Sequence, residues 1–161
     1  MQRRTFLKNA ATISAFTILK PGTAFSYKAN SAVALGMIGC GSRGTEVISA
    51  MSRNANMQIV GIADLFDDKL KEGETKLNAL NEAKGLSKIK RTNLYRGSKA
   101  YLDLLNNKDV QAVLISSPCY THPQFLEAAV VAGKHVYCEK PVAVDVEGCK
   151  RIEKAGEKAK G

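Results

Sequence analysis

A chain of 161 residues is long enough for one ordinary hydrophobic core, and 45% hydrophobic with 24% charged residues is typical of a folded domain. The formal net charge is +9, but residues 1–32 hold five basic residues and no acidic residue, which is more than half of that excess. The remaining charge is mixed and is not interleaved with aromatic residues as in a base-stacking surface, so the composition argues against nucleic acid as a partner.

The first 31 residues follow the order of an export signal. An arginine pair, Arg3 and Arg4, precedes an apolar run at 10–19, and Ala-Phe-Ser at 24–26 offers a small-x-small cleavage site. The pattern resembles a twin-arginine signal, and the apolar run is about half of the roughly 20 residues that a stable membrane span needs. We therefore predict a signal peptide and linker at 1–31, the twin-arginine export machinery as a partner, and a periplasmic or cell-envelope location. An uncleaved interfacial anchor or an ordinary helix is the alternative.

Downstream of this segment, short apolar runs alternate with helical patterns. The predicted strands are 32–39, 57–64, 92–97, 110–118 and 134–140. The predicted helices are 46–51, 67–84, 99–107 and 123–133, with Asp145 as the N-cap of a last amphipathic helix. Strands that alternate with helices predict a doubly wound parallel sheet with helices on both faces, a three-layer αβα fold.

A glycine-rich segment, GCGSRG at 39–44, follows the first predicted strand and opens the first helix. In this pattern the first glycine permits a tight turn, the second lets the backbone approach a pyrophosphate, and the third lets the helix pack against the strand. The helix N-terminus adds free N–H groups and the positive end of the helix dipole. The predicted phosphate-binding residues are Gly39, Cys40, Gly41, Ser42, Arg43 and Gly44. A glycine-rich turn without a ligand is the alternative.

Asp64 ends the second predicted strand, 20 residues after Gly44. A carboxylate at this point would accept hydrogen bonds from the adenosine ribose and repel a 2′-phosphate, which favours NAD over NADP. Arg43 keeps NADP open as a second cofactor, since a guanidinium near the ribose could hold the phosphate. The other interpretation of Asp64 is a cap for the following helix.

The segment ISSPCYTHP, at 115–123, ends the fourth predicted strand at the edge where open α/β sheets bind ligands. Pro118 turns the chain away from the sheet. Thr121 and Gln124 fit a capping box for the next helix. His122 has two interpretations of equal standing: it occupies the first turn of that helix, or it faces the cofactor.

Glu139, Lys140 and Pro141 stand where the fifth predicted strand ends, beside the crevice that would receive a nicotinamide. An ammonium here can donate to a substrate oxygen and stabilise negative charge as it develops. Glu139 can orient Lys140 or tune its charge state, and Pro141 fixes the backbone after it. A solvated lysine at a strand end is the alternative.

The four cysteines lack the spacing of a metal site, since there is no CxxC pair and no histidine at zinc-finger spacing. No metal is predicted, and buried thiols are the expected state. In an exported protein, Cys119 and Cys138 at neighbouring strand ends are the pair that a disulfide could join.

The segments GMIGCGSRG, VGIAD, SSPCYTH and AGKHVYCEKPVAVD, in this order, resemble the nucleotide-binding half of the Gfo/Idh/MocA oxidoreductases over nearly all of residues 33–160. The resemblance implies a Rossmann-type domain at 32–161 that binds NAD, or NADP, at the glycine-rich segment and Asp64. It places Ser117, Pro118 and His122 beside the nicotinamide, together with Glu139, Lys140 and Pro141. Lys140 is then the catalytic lysine, and His122 is a second candidate catalytic residue.

The resemblance also implies hydride transfer on a sugar or polyol and a homo-oligomer at full length. Family members continue into a second α/β domain that forms the substrate wall, so we expect this chain to be an incomplete part whose fifth strand is an exposed edge. Two alternatives stay open. One is a glycosidase that oxidises its sugar transiently with NAD, eliminates the glycosidic bond and reduces the ring again. The other is a catalytically silent nucleotide-binding fragment.

Overall fold

The computed structural model describes residues 32–159 of the chain. Its strands are β1 (Val33–Ile38), β2 (Met57–Asp64), β3 (Leu94–Arg96), β4 (Ala112–Ile115) and β5 (His135–Cys138). Its α-helices are α1 (Ser42–Asn54), α2 (Asp67–Ala83), α3 (Ala100–Asn106), α4 (His122–Val131) and α5 (Val146–Glu157). The predicted signal peptide and linker lie outside these residues. Within 32–159, no helix has both the length and the apolar character that a membrane span requires.

The five strands form one parallel sheet in the order β3-β2-β1-β4-β5. The chain runs outward from β1 through β2 to β3 and then crosses to β4 on the other side of β1. The connections that follow β1 and β4 therefore run in opposite directions, which leaves a crevice between these two strands. Open α/β sheets bind ligands at the carboxyl ends of the strands beside such a point. Of the described strands, β4 is the only partner of β5.

Two separate apolar clusters cover the two faces of the sheet. Helices α1 and α2 contribute to one cluster, whereas α3, α4 and α5 contribute to the other. Successive residues of β4 alternate between them, since Leu114 faces the first cluster while Val113 and Ile115 face the second. The predicted doubly wound sheet with helices on both faces, a three-layer αβα fold, is confirmed.

The element boundaries differ from the predicted ones mainly at the strand ends. The strand predicted at 92–97 shrinks to β3 because residues 91–93 form a 3-10 turn. The strand predicted at 110–118 ends at Ile115, after which the chain leaves the sheet. The helix predicted at 46–51 is longer, because α1 starts directly after Gly41.

The two predicted helix caps have opposite outcomes. Asp145 caps α5 as predicted, since its Oδ1 accepts a hydrogen bond of 2.6 Å from Gly148 N. The capping box of Thr121 and Gln124 is wrong. Thr121 Oγ1 donates to Pro118 O at 2.8 Å, and Gln124 Nε2 donates to Tyr101 Oη at 3.0 Å. Residues 119–121 form a 3-10 turn that runs straight into α4, so the backbone at Thr121 is not extended as an N-cap with a side-chain bond requires.

Two buried asparagines complete the hydrogen bonding of β2 where β3 does not extend. β3 pairs with β2 only from Ile62 to Asp64. Earlier in β2, the Asn81 side chain of α2 accepts from Ile59 N at 3.1 Å and donates to Ile59 O at 2.8 Å. Asn93 Nδ2 donates to Val60 O at 2.8 Å. The amides thus supply the partners that a longer neighbouring strand would have offered.

Candidate functional site

The turn from β1 into α1 requires glycine at two positions and leaves a third open. Gly39 has φ +91°, and a Cβ there would lie 2.7 Å from the Ser116 carbonyl oxygen. A Cβ on Gly44 would lie 2.7 Å from Gly39 O. At Gly41, by contrast, a Cβ would meet no atom within 4 Å. Packing of the protein itself explains Gly39 and Gly44, whereas the space over Gly41 fits the approach of a phosphate group.

The N-terminus of α1 faces this open space without a side-chain cap. Gly41 is its N-cap, and no acidic residue lies in its first turn. Ser42 and Arg43, the first two helical residues, are exposed. Backbone N–H groups and the positive end of the helix dipole therefore make this helix start suitable for an anion.

Asp64 connects the end of β2 to the glycine-rich turn. Its Oδ2 accepts a hydrogen bond from Cys40 N at 2.6 Å, and its Oδ1 accepts one from Phe66 N at 2.9 Å. The other interpretation of Asp64 is a cap of α2. Asp64 accepts a hydrogen bond just before this helix, but the N-cap residue itself is Phe66, which has no side-chain cap bond. Each carboxylate oxygen has a second lone pair, so Asp64 can accept from ribose hydroxyls while it keeps the turn in place.

Cys40 is a packing residue of the turn. The residue is 2% exposed, and its Sγ lies 3.7 Å from Ala63 O. Burial first, and the Asp64 charge second, raise the pKa of this thiol, which keeps it neutral and unreactive. Helix α2 comes so close that a Cβ on Gly73 would lie 2.8 Å from Cys40 Cβ.

Arg43 extends from the turn to Glu139, which follows β5. Its Nε donates to Glu139 Oε1 at 2.8 Å, and its Nη2 lies 2.6 Å from the same oxygen. The side chain of Glu139 is only 6% exposed, whereas that of Arg43 is 58% exposed. The hydrogen bond from Arg43 is the main cause that lowers the pKa of Glu139, and the same bond raises the pKa of Arg43. In this structure the guanidinium of Arg43 is engaged with Glu139, and its expected place beside the ribose stays a prediction.

Glu139 and Lys140 form no direct hydrogen bond or ion pair with each other. The second oxygen of Glu139, Oε2, accepts from Tyr137 Oη at 3.4 Å. Lys140 is exposed, and its ammonium has no hydrogen bond or ion pair with another residue of the described range 32–159. Glu139 N donates to Ile115 O at 2.9 Å, which fixes the triplet at the carboxyl end of β4. Lys140 is thus held by its backbone at the ligand-binding edge with an unengaged ammonium.

His122 is buried between the two segments that flank the crevice. The ring is 1% exposed, with Nδ1 3.0 Å from Pro141 O and Nε2 2.8 Å from Ser117 O. The interpretation in which His122 occupies the first turn of α4 is confirmed, since α4 starts at this residue. Both ring nitrogens face backbone carbonyls, and the interpretation in which His122 faces the cofactor stays a prediction.

Ser117 and Pro118 shape the other side of the crevice. The chain leaves β4 with Ser116 N donating to Ile38 O at 2.8 Å. Ser117 Oγ and Thr121 Oγ1 lie 2.6 Å apart, and Pro118 is exposed in the turn that follows. The structure therefore places Ser117 and Pro118 at the same sheet edge as the glycine-rich turn.

Two residues of this edge, Ser116 and Tyr137, have no counterpart among the predicted site residues. The Ser116 backbone is the reason that Gly39 must lack a side chain. Tyr137 contacts Glu139, and the spacing of two along an extended strand was the available signal, since such residues share one face.

The cysteines are all free thiols in this structure, so the Cys119–Cys138 disulfide is not formed. The expectation of buried thiols is right for Cys40 only. Cys119 and Cys138 are partly buried, and Cys149 is exposed because it lies on the outer side of α5. Burial, followed by the neighbouring Cys119 and Glu139, raises the pKa of Cys138 to about 11. Among residues 32–159, no group of three or more His, Cys, Asp or Glu side chains is arranged to hold a metal ion.

A parallel sheet with a glycine-rich turn beside its switch point and an acid at the end of β2 defines a dinucleotide-binding α/β domain. Residues 33–161 match the GFO_IDH_MocA family, described as an oxidoreductase family with an NAD-binding Rossmann fold. The chain belongs to this family of oxidoreductases.

Several relatives illustrate the family. The chain is 36% identical to an inositol 2-dehydrogenase of Pseudomonas fluorescens (strain SBW25) over 122 residues, which cover 73% of this chain and 31% of that protein. It is 37% identical to an inositol 2-dehydrogenase of Serratia proteamaculans (strain 568) over 125 residues, which cover 75% of this chain and 32% of that protein. The chain thus spans about a third of the length of the curated relatives it matches.

Solved structures share the fold. An NAD binding oxidoreductase from Klebsiella pneumoniae superposes with a TM-score of 0.60 at 26% identity, over 79% of this chain and 32% of that one. A 3-ketoreductase from Actinomadura kijaniata in complex with NADP superposes with a TM-score of 0.59 at 23% identity, over 79% of this chain and 36% of that one.

Proposed function

We propose that this chain is the nucleotide-binding half of an NAD(P)-dependent oxidoreductase that acts on a CH–OH group of a sugar or polyol. The observation that carries the proposal is the convergence of three features at one sheet edge: the open space over Gly41, the carboxylate of Asp64 and the exposed ammonium of Lys140. The names of the inositol dehydrogenase relatives support a polyol as the substrate class.

The nucleotide, when bound, supplies the hydride acceptor or donor of the reaction. The residues of this chain would bind the nucleotide, orient it beside the substrate and assist proton movement at the substrate oxygen. The turn at Gly41 and the start of α1 would hold the pyrophosphate, and Asp64 would hold the adenosine ribose. Lys140 would donate a hydrogen bond to the substrate oxygen and stabilise the negative charge that develops there. Ser117 and Pro118 would border the nicotinamide on the β4 side.

We propose NAD as the preferred nucleotide, with NADP as the second candidate. The Asp64 carboxylate would repel a 2′-phosphate at the ribose. Arg43, the nearby basic residue expected to accept such a phosphate, is engaged with Glu139. Both observations support discrimination against NADP.

We further propose that residues 1–31 direct the protein through the twin-arginine route to the periplasm or cell envelope and that the full-length protein is a homo-oligomer. The order of charge, apolar run and cleavage site supports export. Twin-arginine export carries folded proteins, so the protein would load its nucleotide before it is exported.

The test is a calorimetric titration of the chain with NAD, followed by incubation of the full-length protein with NAD and a panel of inositols, sugars and glycosides while NADH absorbance is recorded. Saturable binding with NADH formed in proportion to polyol consumed is the expected result. Binding with polyol glycosides hydrolysed and no net NADH would instead identify the redox-cycling glycosidase. Binding without any turnover would identify the silent nucleotide-binding fragment, and an absence of binding would overturn the proposal.

A further inference from the structure

We propose that Arg43 is a positioning residue that neutralises Glu139 and thereby keeps the neighbouring Lys140 ammonium available in the crevice. The proposal rests on the proposed function in one respect, the role of Lys140 at the substrate oxygen. The competition of Arg43 and Lys140 for the carboxylate of Glu139 is argued from contacts within the chain and does not depend on that role.

The first step is the burial of Glu139. Its side chain is 6% exposed, so its carboxylate has little access to water. A buried carboxylate needs a cation or several hydrogen-bond donors, because an unpaired one is costly in free energy. Tyr137 Oη contacts one oxygen at 3.4 Å, which is long for an O–H···O bond. Arg43 contacts the other oxygen with two nitrogens at 2.8 and 2.6 Å and is the main partner.

The second step is the direction of the two side chains. Glu139 and Lys140 are successive residues at the end of a strand, where alternate side chains point to opposite sides. Glu139 points inward and Lys140 is exposed. Lys140 nevertheless lies close enough for its charge to contribute, after Arg43 and Tyr137, to the lowered pKa of Glu139.

The third step is the consequence of removing Arg43. Apart from Arg43, Lys140 is the cation whose charge contributes to the lowered pKa of Glu139. A lysine stem is flexible enough to turn its ammonium toward a neighbouring acid. The ammonium would leave the crevice, although the backbone of the triplet stays on β4. Arg43 therefore acts on Lys140 through Glu139.

The experiment is competitive acylation of the 161-residue chain with acetic anhydride at trace level, with peptide mapping by mass spectrometry. Modification of Lys140 is expressed relative to Lys76, an exposed lysine of α2. In Arg43→Ala, an ammonium paired with Glu139 should react about two- to five-fold more slowly, as expected for an ion pair of moderate strength. In Arg43→Ala combined with Glu139→Gln, the neutral amide no longer attracts Lys140, and its rate should return to the wild-type value. Arg43→Lys keeps a cation at Glu139 and should keep most of the wild-type rate.

The control is Arg151→Ala, which removes a similar two-point pair. Arg151 Nε donates to Glu127 Oε1 at 2.9 Å, between α5 and α4. This variant should leave the Lys140 rate unchanged. An unchanged Lys140 rate in Arg43→Ala, or no recovery in the double variant, would overturn the proposal. Circular dichroism of each variant distinguishes slow acylation from unfolding, since an unfolded chain acylates Lys140 and Lys76 alike.

The acylation result does not depend on catalysis. If wild-type protein binds no NAD or shows no turnover, the proposed function fails. The acylation rates still show whether Lys140 pairs with Glu139 when Arg43 is removed. If wild-type protein does turn over, Arg43→Ala should lower kcat more than it weakens NAD binding, and the double variant should recover part of kcat. A loss of kcat that the double variant does not recover would count against the positioning role.

Discussion

Substitution of Gly41 separates ligand binding from folding at the scale of a single residue, because a Cβ here has no protein atom within 4 Å. In Gly41→Ala, the free energy of unfolding should change by less than about 0.5 kcal/mol, as at an unconstrained surface position. NAD affinity should fall about tenfold or more, since the methyl group takes the space of a phosphate. Urea unfolding and calorimetric NAD titration measure the two effects.

Two other glycines serve as controls for Gly41. Gly39→Ala introduces a Cβ at φ +91° and 2.7 Å from Ser116 backbone atoms, so it should cost about 1–3 kcal/mol of stability. Gly156→Ala adds a methyl group within α5, where no atom lies within 4 Å, and should leave NAD affinity unchanged. Equal NAD affinity in Gly41→Ala and wild type would place the phosphates elsewhere.

Substitution of Asp64 tests the choice between NAD and NADP. Asp64→Asn keeps an amide oxygen that can accept from Cys40 N but removes the negative charge that would repel a 2′-phosphate. The ratio of the NADP and NAD dissociation constants should fall about tenfold, a change of roughly 1.4 kcal/mol. Calorimetric titration with both nucleotides gives the ratio. Asp109→Asn, at an exposed acid outside the crevice, is the matched control, and an unaltered ratio in Asp64→Asn would mean that another group recognises the ribose.

The site could be predicted at this scale only as far as local spacing determines it. The glycine pattern, Asp64 and Lys140 all stand next to strand ends, and hydrophobic patterns locate those ends. Their positions in the sequence were therefore sufficient to place them at one edge of the sheet. The pairing of Arg43 with Glu139 joins residues 96 apart in the sequence, and the burial of His122 depends on how a first-turn side chain rotates inward. Side-chain directions of this kind follow from tertiary packing and not from spacing.

At the scale of elements, Asn81 of α2 supports the sheet in place of a strand. The side chain is 1% exposed and makes both hydrogen bonds to Ile59 as well as one to Ser87 O at 3.0 Å. Asn81→Ala would leave the N–H and C=O of Ile59 without these partners, at about 2–4 kcal/mol of unfolding free energy. Urea unfolding measures the loss. Asn54→Ala, at an exposed end of α1, should cost less than about 0.5 kcal/mol. Similar losses in the two variants would contradict the role of Asn81.

The contact of α4 with α5 predicts a pH dependence of stability. Hydrogen bonds from Arg151 lower the pKa of Glu127 below its ordinary value of 4.5 in the folded chain. A carboxyl group with a lowered folded pKa stabilises the fold above its unfolded pKa and loses that contribution as the pH falls through the folded pKa. Arg151→Ala should therefore lower the urea midpoint at pH 7, and the difference from wild type should shrink below pH 4.5. A difference that is constant from pH 7 to pH 3 would contradict this origin.

Within residues 32–159, the five strands and five α-helices correspond to predicted segments, because short apolar runs alternate with helical patterns along this part of the chain. Element ends were less predictable. The 3-10 turns at 91–93 and 119–121 follow no apolar period, and they shorten β3 and remove the expected capping box at Thr121.

At the scale of the whole domain, the strand order brings separate parts of the sequence to one edge. β1 lies between β2 and β4, so the glycine-rich turn, Asp64 and Ser117 meet although up to 78 residues separate them. Alternation of strands and helices after a glycine-rich turn made this arrangement predictable. The shift in register between β1 and β2 at Leu35 and Gly36 was not predictable, and Leu104 of α3 lies close to Gly36 and to Gly61 there.

The contact between Arg43 and Glu139 also links the evolutionary histories of two positions. A lineage that lost the arginine but kept the acid would carry a buried carboxylate that draws Lys140 out of the crevice. A lineage that first replaced the acid at position 139 would have no buried carboxylate to neutralise, and position 43 could then vary freely. Among relatives that retain a lysine at position 140, an acid at position 139 should therefore be inherited together with a basic residue at position 43.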